Sequence, residues 1–152
     1  MEIFENIVWT FSGKYYDSYE KFEIDINQYQ IDILGKNAVW SPKSIVVDSP
    51  SVEIVYEYFE SETDSKFDDE ENIDLGNETN ADDDMHDEEK KIVKALFYAD
   101  NKQFFTFGEL LFKIHQRLTD RDLGDDIYFE GLTSIKDSHK LDPPSWFLLR
   151  GS

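Results

Sequence analysis

The sequence predicts an α+β fold in which an antiparallel sheet of about 5–8 strands packs with one main helix, at about residues 106–119. Short segments of alternating apolar and polar residues, separated by turn residues, predict the sheet. One segment with apolar residues three and four positions apart predicts the helix. The 152 residues include 12 Phe, 8 Tyr and 3 Trp. A single domain spanning residues 1–152 can therefore fill a hydrophobic core.

The first 59 residues predict several strands. In residues 22–26, Phe and Ile alternate with Glu and Asp, and isoleucines at 31 and 33 continue the pattern after a polar break. The β-branched run 45–47 and the alternating segment 52–59 follow, each next to turn residues. We also expect a strand within the apolar segment 7–16.

The second half of the chain predicts three further strands. Residues 91–98 favour a strand, although a short helix would fit the same apolar residues. Residues 127–129 and 146–149 predict two closing strands. Pro143 and Pro144 predict a loop between them, because proline has no backbone N–H to donate to a neighbouring strand.

The main helix is predicted from its first turn and from its apolar stripe. Thr106 followed by Glu109 matches a capping box, in which each side chain accepts a hydrogen bond from a backbone N–H of the first turn. The apolar residues that recur at helical spacing are Phe107, Leu110, Leu111, Ile114 and Leu118.

The net charge of −19 is concentrated in one segment. Residues 60–89 contain 15 carboxylates and one basic residue, Lys66, whereas the other 122 residues carry a net charge of only −5. The segment has few apolar residues and none at a sustained period. This composition predicts a long, solvated and mobile acidic loop inserted in the domain. We therefore expect that deleting about residues 62–88 leaves the fold intact.

The composition excludes several classes of protein. Phosphate repels a chain this acidic and no basic stripe occurs, so we expect binding neither to nucleic acid nor to an anionic membrane. The absence of cysteine excludes disulfides, thiolate metal sites and a cysteine nucleophile. No apolar run approaches the roughly 20 residues that span a bilayer, and no signal peptide is evident. We expect a soluble, cytoplasmic protein.

No motif in the sequence predicts catalysis or a cofactor. The histidines, His86, His115 and His139, lack the spacing of a metal site. A calcium loop starting at Asp68 or Asn72 would lack the glycine needed at its sixth position. Phosphate-binding glycine loops and nucleophile elbows are absent from the sequence. We expect that the chain is not an enzyme and takes no metal, other cofactor or small-molecule substrate.

Three segments of the last third form a recognisable pattern: FTFGELLFKIHQRL (105–118), LGDDIYFEGL (123–132) and WFLLRGS (146–152). The pattern resembles small bacterial immunity proteins, the inhibitors encoded beside the toxins of contact-dependent growth inhibition and other polymorphic toxin systems. The resemblance covers about residues 104–152. It implies a cytoplasmic protein that binds its toxin, often a nuclease, and blocks the active site or an adjacent surface. The acidic segment 60–89 has no match in the family pattern.

The composition agrees with a basic toxin domain as a 1:1 partner. A nuclease presents cationic groups to phosphate, so an acidic, aromatic-rich inhibitor is its electrostatic complement. We expect carboxylates to pair with Arg and Lys of the toxin, and Tyr and Trp to supply the buried anchors. The candidate toxin-binding residues are Asp68, Asp69, Glu70, Glu71, Asp82, Asp83, Asp84, Asp120, Asp122, Asp125, Asp126 and Glu130. The alternative function is an acidic nucleic-acid mimic that sequesters several DNA- or RNA-binding proteins.

Overall fold

A computed structural model describes residues 2–4, 6–12, 15–38, 40–59, 70–72, 90–119, 121–135 and 143–152. In these ranges a seven-stranded mixed sheet, a two-stranded sheet and two α-helices form an α+β fold, which confirms the predicted class. The strands are β1 (Glu2–Ile3), β2 (Trp9–Thr10), β3 (Ile45–Val47), β4 (Ser51–Phe59), β5 (Glu70–Asn72), β6 (Lys90–Tyr98), β7 (Phe105–Thr106), β8 (Tyr128–Ser134) and β9 (Ser145–Gly151). The helices are α1 (Tyr19–Leu34) and α2 (Phe107–Leu118), with a 3₁₀ turn at Gly35–Asn37.

The large sheet has the strand order β1-β8-β9-β4-β6-β5, and β2 also pairs with β8. Its pairs are antiparallel except β4–β9, which is parallel. A parallel pair needs a long crossover connection, and the chain between β4 and β9 includes α2. The antiparallel sheet predicted from the sequence is thus a mixed sheet with a single parallel pair.

Most predicted strands are confirmed. β3, β4 and β6 lie where the alternating and β-branched segments predict them, and β6 is a strand rather than a short helix. The closing strands β8 and β9 are both longer than predicted. In the segment 7–16, the residues described as strand are those of β2.

Helix α1 lies where strands were predicted between residues 22 and 33, so this prediction is wrong. The alternation of apolar and charged residues suggested two faces of a strand. The helix instead buries Phe22, Ile26 and Gln30, which are four residues apart, and leaves Ile24 68% exposed. The fold therefore has a second helix beside the predicted one.

Local signals for α1 are present at both of its ends. Ser18 is its N-cap, and its hydroxyl accepts a hydrogen bond from the Lys21 N–H (3.4 Å). Gly35 ends the helix with φ of +56°, a backbone conformation that costs glycine little.

Helix α2 confirms the predicted main helix. The Glu109 N–H donates to the Thr106 hydroxyl (3.2 Å), which is one half of the predicted capping box. The Glu109 carboxylate has a different partner from the one predicted, because it accepts from the Asp100 N–H (2.8 Å). The predicted apolar stripe is buried apart from Phe107, which is half-buried, and His115 is buried with it.

The hydrophobic core joins both helices to one face of the large sheet. Along β4 the buried residues of this face alternate with partly exposed ones except at Val55, which is buried as well. They lie opposite buried residues of β6 in the antiparallel register. The facing pairs are Val52 with Phe97, Ile54 with Ala95 and Tyr56 with Val93.

Strand β5 lies within the acidic segment 60–89 and forms the edge of the sheet beside β6. The structure describes residues 70–72 of that segment, and the rest of the predicted loop lies outside the described residues. Glu70 is 3% exposed, so at least one of the 15 carboxylates is part of the folded domain rather than of a solvated loop.

Candidate protein-interaction surface

One face of helix α1 points away from the core and combines apolar with acidic side chains. Ile24 and Ile31, seven residues apart and therefore on the same face, are 68% and 56% exposed. Glu20 and Gln28 lie on the same face, and both are exposed. We call these four residues the α1 ridge. Exposed isoleucines flanked by carboxylates are suited to a partner that is both apolar and basic.

A cleft of about 300 Å³ runs along one flank of the α1 ridge. Asp25, Tyr29 and Asp32 recur at helical spacing on this flank. The opposite wall comes from the N-terminal segment and includes Trp9 and Tyr16. We call this space the Trp9 cleft, and its complete lining is Trp9, Thr10, Ser12, Tyr16, Asp25, Gln28, Tyr29, Asp32 and His115.

Two buried or half-buried glutamines fix the wall of the Trp9 cleft to the helices. Gln30 of α1 donates to the Val8 carbonyl oxygen and accepts from the Val8 N–H (2.9 Å). Gln116 of α2 makes the equivalent pair with Tyr16, donating to its carbonyl (2.8 Å) and accepting from its N–H (3.1 Å). Each amide thus satisfies a backbone donor and acceptor as a neighbouring strand would. The wall is held before any partner arrives, which lowers the entropic cost of binding.

The charged side chains among the described residues that line the Trp9 cleft are carboxylates. The Trp9 indole N–H donates to His115 Nδ1 (3.1 Å), which requires that this nitrogen carries no proton. Burial and the hydrogen bond to Asp25 raise the pKa of Tyr16, so its hydroxyl stays neutral and donates to Asp25 Oδ2 (2.8 Å). Burial also raises the pKa of Tyr29. No Lys or Arg is among the described residues that line the cleft.

The opposite flank of α1 borders a second acidic cleft, of about 380 Å³. The residues that line it include Tyr19, Glu23, Glu109 and one base, Lys43. Burial and the nearby carboxylates, Glu23 first among them, raise the pKa of Tyr19 to about 12. Acidic side chains therefore lie on both sides of the α1 ridge.

The structure separates the carboxylates that the sequence proposed for toxin binding. Glu71, Asp122, Asp125, Asp126 and Glu130 are exposed. Asp68, Asp69, Asp82, Asp83, Asp84 and Asp120 lie outside the described residues. Glu70 is buried, and its carboxylate is not accessible to a partner in this structure.

Glu70 belongs to a buried polar cluster. Its side chain, 0% exposed, forms an ion pair with the Arg121 side chain, 3% exposed, at 2.7 Å. The Tyr56 hydroxyl donates to the same carboxylate. The Arg121 guanidinium also lies over the Tyr58 ring, 4.2 Å from its centroid. Burial lowers the pKa of Arg121, but the hydrogen bond and charge of Glu70 outweigh this and raise it overall, so the guanidinium stays charged.

The exposed carboxylates between residues 122 and 130 lie on β8 and in the loop before it, and none of them lines the Trp9 cleft. Thr10, which lines the cleft, is the register partner of Tyr128, which is 46% exposed. The loop from Asp122 to Asp126 leads directly into this part of β8. Arg150 holds this loop by donating to the Asp126 carbonyl oxygen (2.7 Å). The α1 ridge borders the cleft through Gln28, whereas Glu71 lies on β5, at the edge of the sheet opposite to β1.

The potential metal ligands among the described residues are not grouped together. No group of three or more His, Cys, Asp or Glu side chains in the described ranges could hold a metal ion. Among the histidines, His115 is buried at 1% exposure. His86 and His139 lie outside the described residues. Of the two calcium-loop starts considered in the sequence, Asp68 lies outside them and Asn72 is the last residue of β5.

Sequence reasoning missed the α1 ridge because it assigned this segment to strands. A strand would have placed Ile24 with Phe22 and Ile26 in the core. The caps at Ser18 and Gly35, with no glycine or proline between them, were the available signals for a helix.

No protein-family model matches the chain, and no match was found among curated proteins or solved structures. The resemblance of residues 104–152 to immunity proteins therefore stays a prediction. Neither α1 nor α2 is long and apolar enough to cross a membrane, and the search covered only the residues that the structure describes.

Proposed function

We propose that this chain is an immunity protein that binds a cognate basic toxin domain 1:1 in the cytoplasm and blocks its active site or an adjacent surface. The toxin is proposed to be a nuclease. The observation that carries the proposal is the α1 ridge, where Ile24 and Ile31 are exposed between acidic flanks. The net charge of −19 and the resemblance of residues 104–152 to immunity proteins support the same function.

The chemistry of the α1 ridge suits tight inhibition of a basic enzyme. Apolar side chains that lose their water on binding supply most of the affinity of a protein interface, and surrounding charges set its specificity and association rate. Tyr15, 61% exposed beside Ile24 in a neighbouring cleft, adds an aromatic anchor. A nuclease surface that normally attracts phosphate would be attracted to the carboxylates Asp25 and Asp32 in the same way.

The proposal is tested with the toxin domain encoded by the adjacent upstream gene. Cells that express this domain should survive when they also express the wild-type chain, and the purified proteins should form a 1:1 complex. An Ile24→Asp, Ile31→Asp variant should lose protection while remaining folded, because both side chains are mostly exposed. Absence of binding and of protection by the wild-type chain would overturn the proposal.

Salt dependence separates this function from that of a nucleic-acid mimic. Affinity that depends on charge alone falls steeply with salt, as counterions screen the two surfaces. An immunity protein anchored by apolar residues should keep one partner at 0.5 M NaCl, about where the screening length falls below 5 Å. Binding of many unrelated basic proteins that is lost together as salt rises would favour the mimic instead.

A further inference from the structure

The Trp9 cleft and the buried cluster around Glu70 contain the same tyrosine–carboxylate unit. In the buried cluster, the Tyr56 hydroxyl donates to Glu70, and Arg121 completes the unit from within the chain. In the cleft, the Tyr16 hydroxyl donates to Asp25 (2.8 Å). Asp25 is exposed, and among the described residues no Lys or Arg forms an ion pair with it.

Aromatic rings accompany the carboxylate in both places. Arg121 stacks on the Tyr58 ring at 4.2 Å while it pairs with Glu70. Beside Asp25 the cleft is lined by the half-buried Tyr29, whose ring meets that of the buried Trp9 edge to face with centroids 5.4 Å apart. A guanidinium is planar, stacks on aromatic faces and donates two parallel hydrogen bonds to a carboxylate. The cleft therefore has the surroundings of an arginine site without the arginine.

We propose that the Trp9 cleft receives an arginine side chain of the protein partner. The guanidinium pairs with Asp25 and stacks on the half-buried Tyr29 ring. Asp32 lies two helical turns, about 10.5 Å, further along and adds negative potential without sharing the same guanidinium. This inference rests on the proposed function, because it names the side chain by which a basic toxin domain engages the α1 surface.

The surroundings of the cleft favour arginine over lysine. His115 accepts from Trp9 through Nδ1 and contributes no positive charge while this hydrogen bond is present. Gln30 and Gln116 fix the backbone at Val8 and Tyr16, so the wall that carries Trp9 is held in place without a ligand. A compact ammonium group would lose more of its hydration in this space and would gain no stacking.

The test is an NMR titration of the full chain with N-acetyl-L-arginine methylamide, followed at the Trp9 indole N–H resonance. We expect a saturable shift with an affinity in the millimolar range. The lysine analogue should bind at least about threefold more weakly. The citrulline analogue, which has nearly the same shape but no charge, should give no saturable shift. Equal responses to the arginine and citrulline analogues would overturn the proposal.

Variants locate the site. Asp25→Asn keeps an oxygen that can accept from Tyr16, so it should fold, and it should weaken arginine binding at least about fivefold. Asp32→Asn should weaken it less, by about twofold, because it acts only through its charge. Glu71→Gln, at the far edge of the sheet, is the matched control and should bind like wild type. Wild-type affinity in both Asp25→Asn and Asp32→Asn would overturn the proposal.

The titration uses no toxin, so its failure is distinguishable from failure of the proposed function. Protection of cells without arginine binding would leave the immunity proposal standing and overturn the arginine site. Arginine binding without protection would leave the site standing and overturn the immunity proposal.

Discussion

Glu70 and Asp25 are both carboxylates that accept a hydrogen bond from a tyrosine, yet they lie in opposite surroundings. Glu70 is buried, and Arg121 neutralises it inside the fold. Asp25 is exposed beside an open cleft. The difference shows that acidic residues of one chain can have different structural roles. One carboxylate of the acidic segment is buried in an ion pair of the domain, while Asp25 and Asp32 on α1 are exposed.

Removing the Glu70 carboxylate should have the largest effect on stability. Glu70→Ala leaves Arg121 and Tyr56 buried with fewer partners, and breaking a buried ion pair costs about 3–5 kcal/mol. We expect the free energy of unfolding, measured by urea denaturation, to fall by that amount. Glu71→Ala is the control, because the Glu71 side chain is 71% exposed and its ion pair with Lys94 (3.2 Å) should contribute at most about 1 kcal/mol.

A Glu70 variant as stable as the Glu71 variant would contradict the assignment of Glu70 to the core. The same burial changes the expectation for deleting residues 62–88. That deletion removes Glu70 together with β5, so it should destabilise the domain rather than leave it intact.

Replacing both members of the buried ion pair should restore much of the lost stability. In Glu70→Leu, Arg121→Met, no charge is left buried without its partner, and apolar pairs of similar volume often equal a buried ion pair in stability. We expect the double variant to be about 2 kcal/mol more stable than Glu70→Ala in the same urea experiment. A double variant less stable than Glu70→Ala would contradict this expectation. It would mean that Arg121 contributes more to stability through its other contacts than through its ion pair with Glu70.

Truncating the α1 ridge should affect binding but not folding. Ile24→Ala should weaken binding to the toxin domain about tenfold, equivalent to about 1.4 kcal/mol, as measured by calorimetry. Ile33→Ala is a matched control on the same helix: Ile33 is 58% exposed but lies on a different face from Ile24. The free energy of unfolding of both variants should lie within about 0.5 kcal/mol of the wild-type value. Equal losses of affinity would show that binding does not depend on the α1 ridge.

Ionisation of Tyr19 should have the smallest effect. Its folded pKa is raised from 10.0 to about 12, so above pH 10 the unfolded chain loses this proton while the folded chain retains it. Its contribution to stability is therefore complete below pH 10 and is lost as the pH rises toward 12. Tyr19→Phe should reduce the loss of stability between pH 10 and 11.5, measured by urea denaturation. A variant with the same alkaline loss as wild type would contradict this assignment.

The sequence predicted the elements whose signals are local. Helix α2 has a cap at Thr106 and an apolar stripe that only a helix can bury. The alternation in β4 matches its buried face. In α1 the same kind of alternation was ambiguous, because Phe22 and Ile26 lie on one face of a strand and also on one face of a helix.

The candidate site could not be predicted, because it is built by contacts between distant residues. Gln116 is 100 positions from Tyr16, and His115 is 106 positions from Trp9. Arg121 pairs with Glu70 across 51 positions. Nothing local to Glu70 distinguishes it from its acidic neighbours, so its burial depends on where β5 meets the sheet.

The central claim is that the partner docks on α1 and the Trp9 cleft rather than on the acidic segment. The most direct test compares the association rates of Asp25→Lys and Glu71→Lys with the toxin domain at low salt, after circular dichroism shows that both are folded. We expect Asp25→Lys to slow association about tenfold, and Glu71→Lys to change it by less than about twofold. Slow association of Glu71→Lys together with a wild-type rate for Asp25→Lys would contradict the claim.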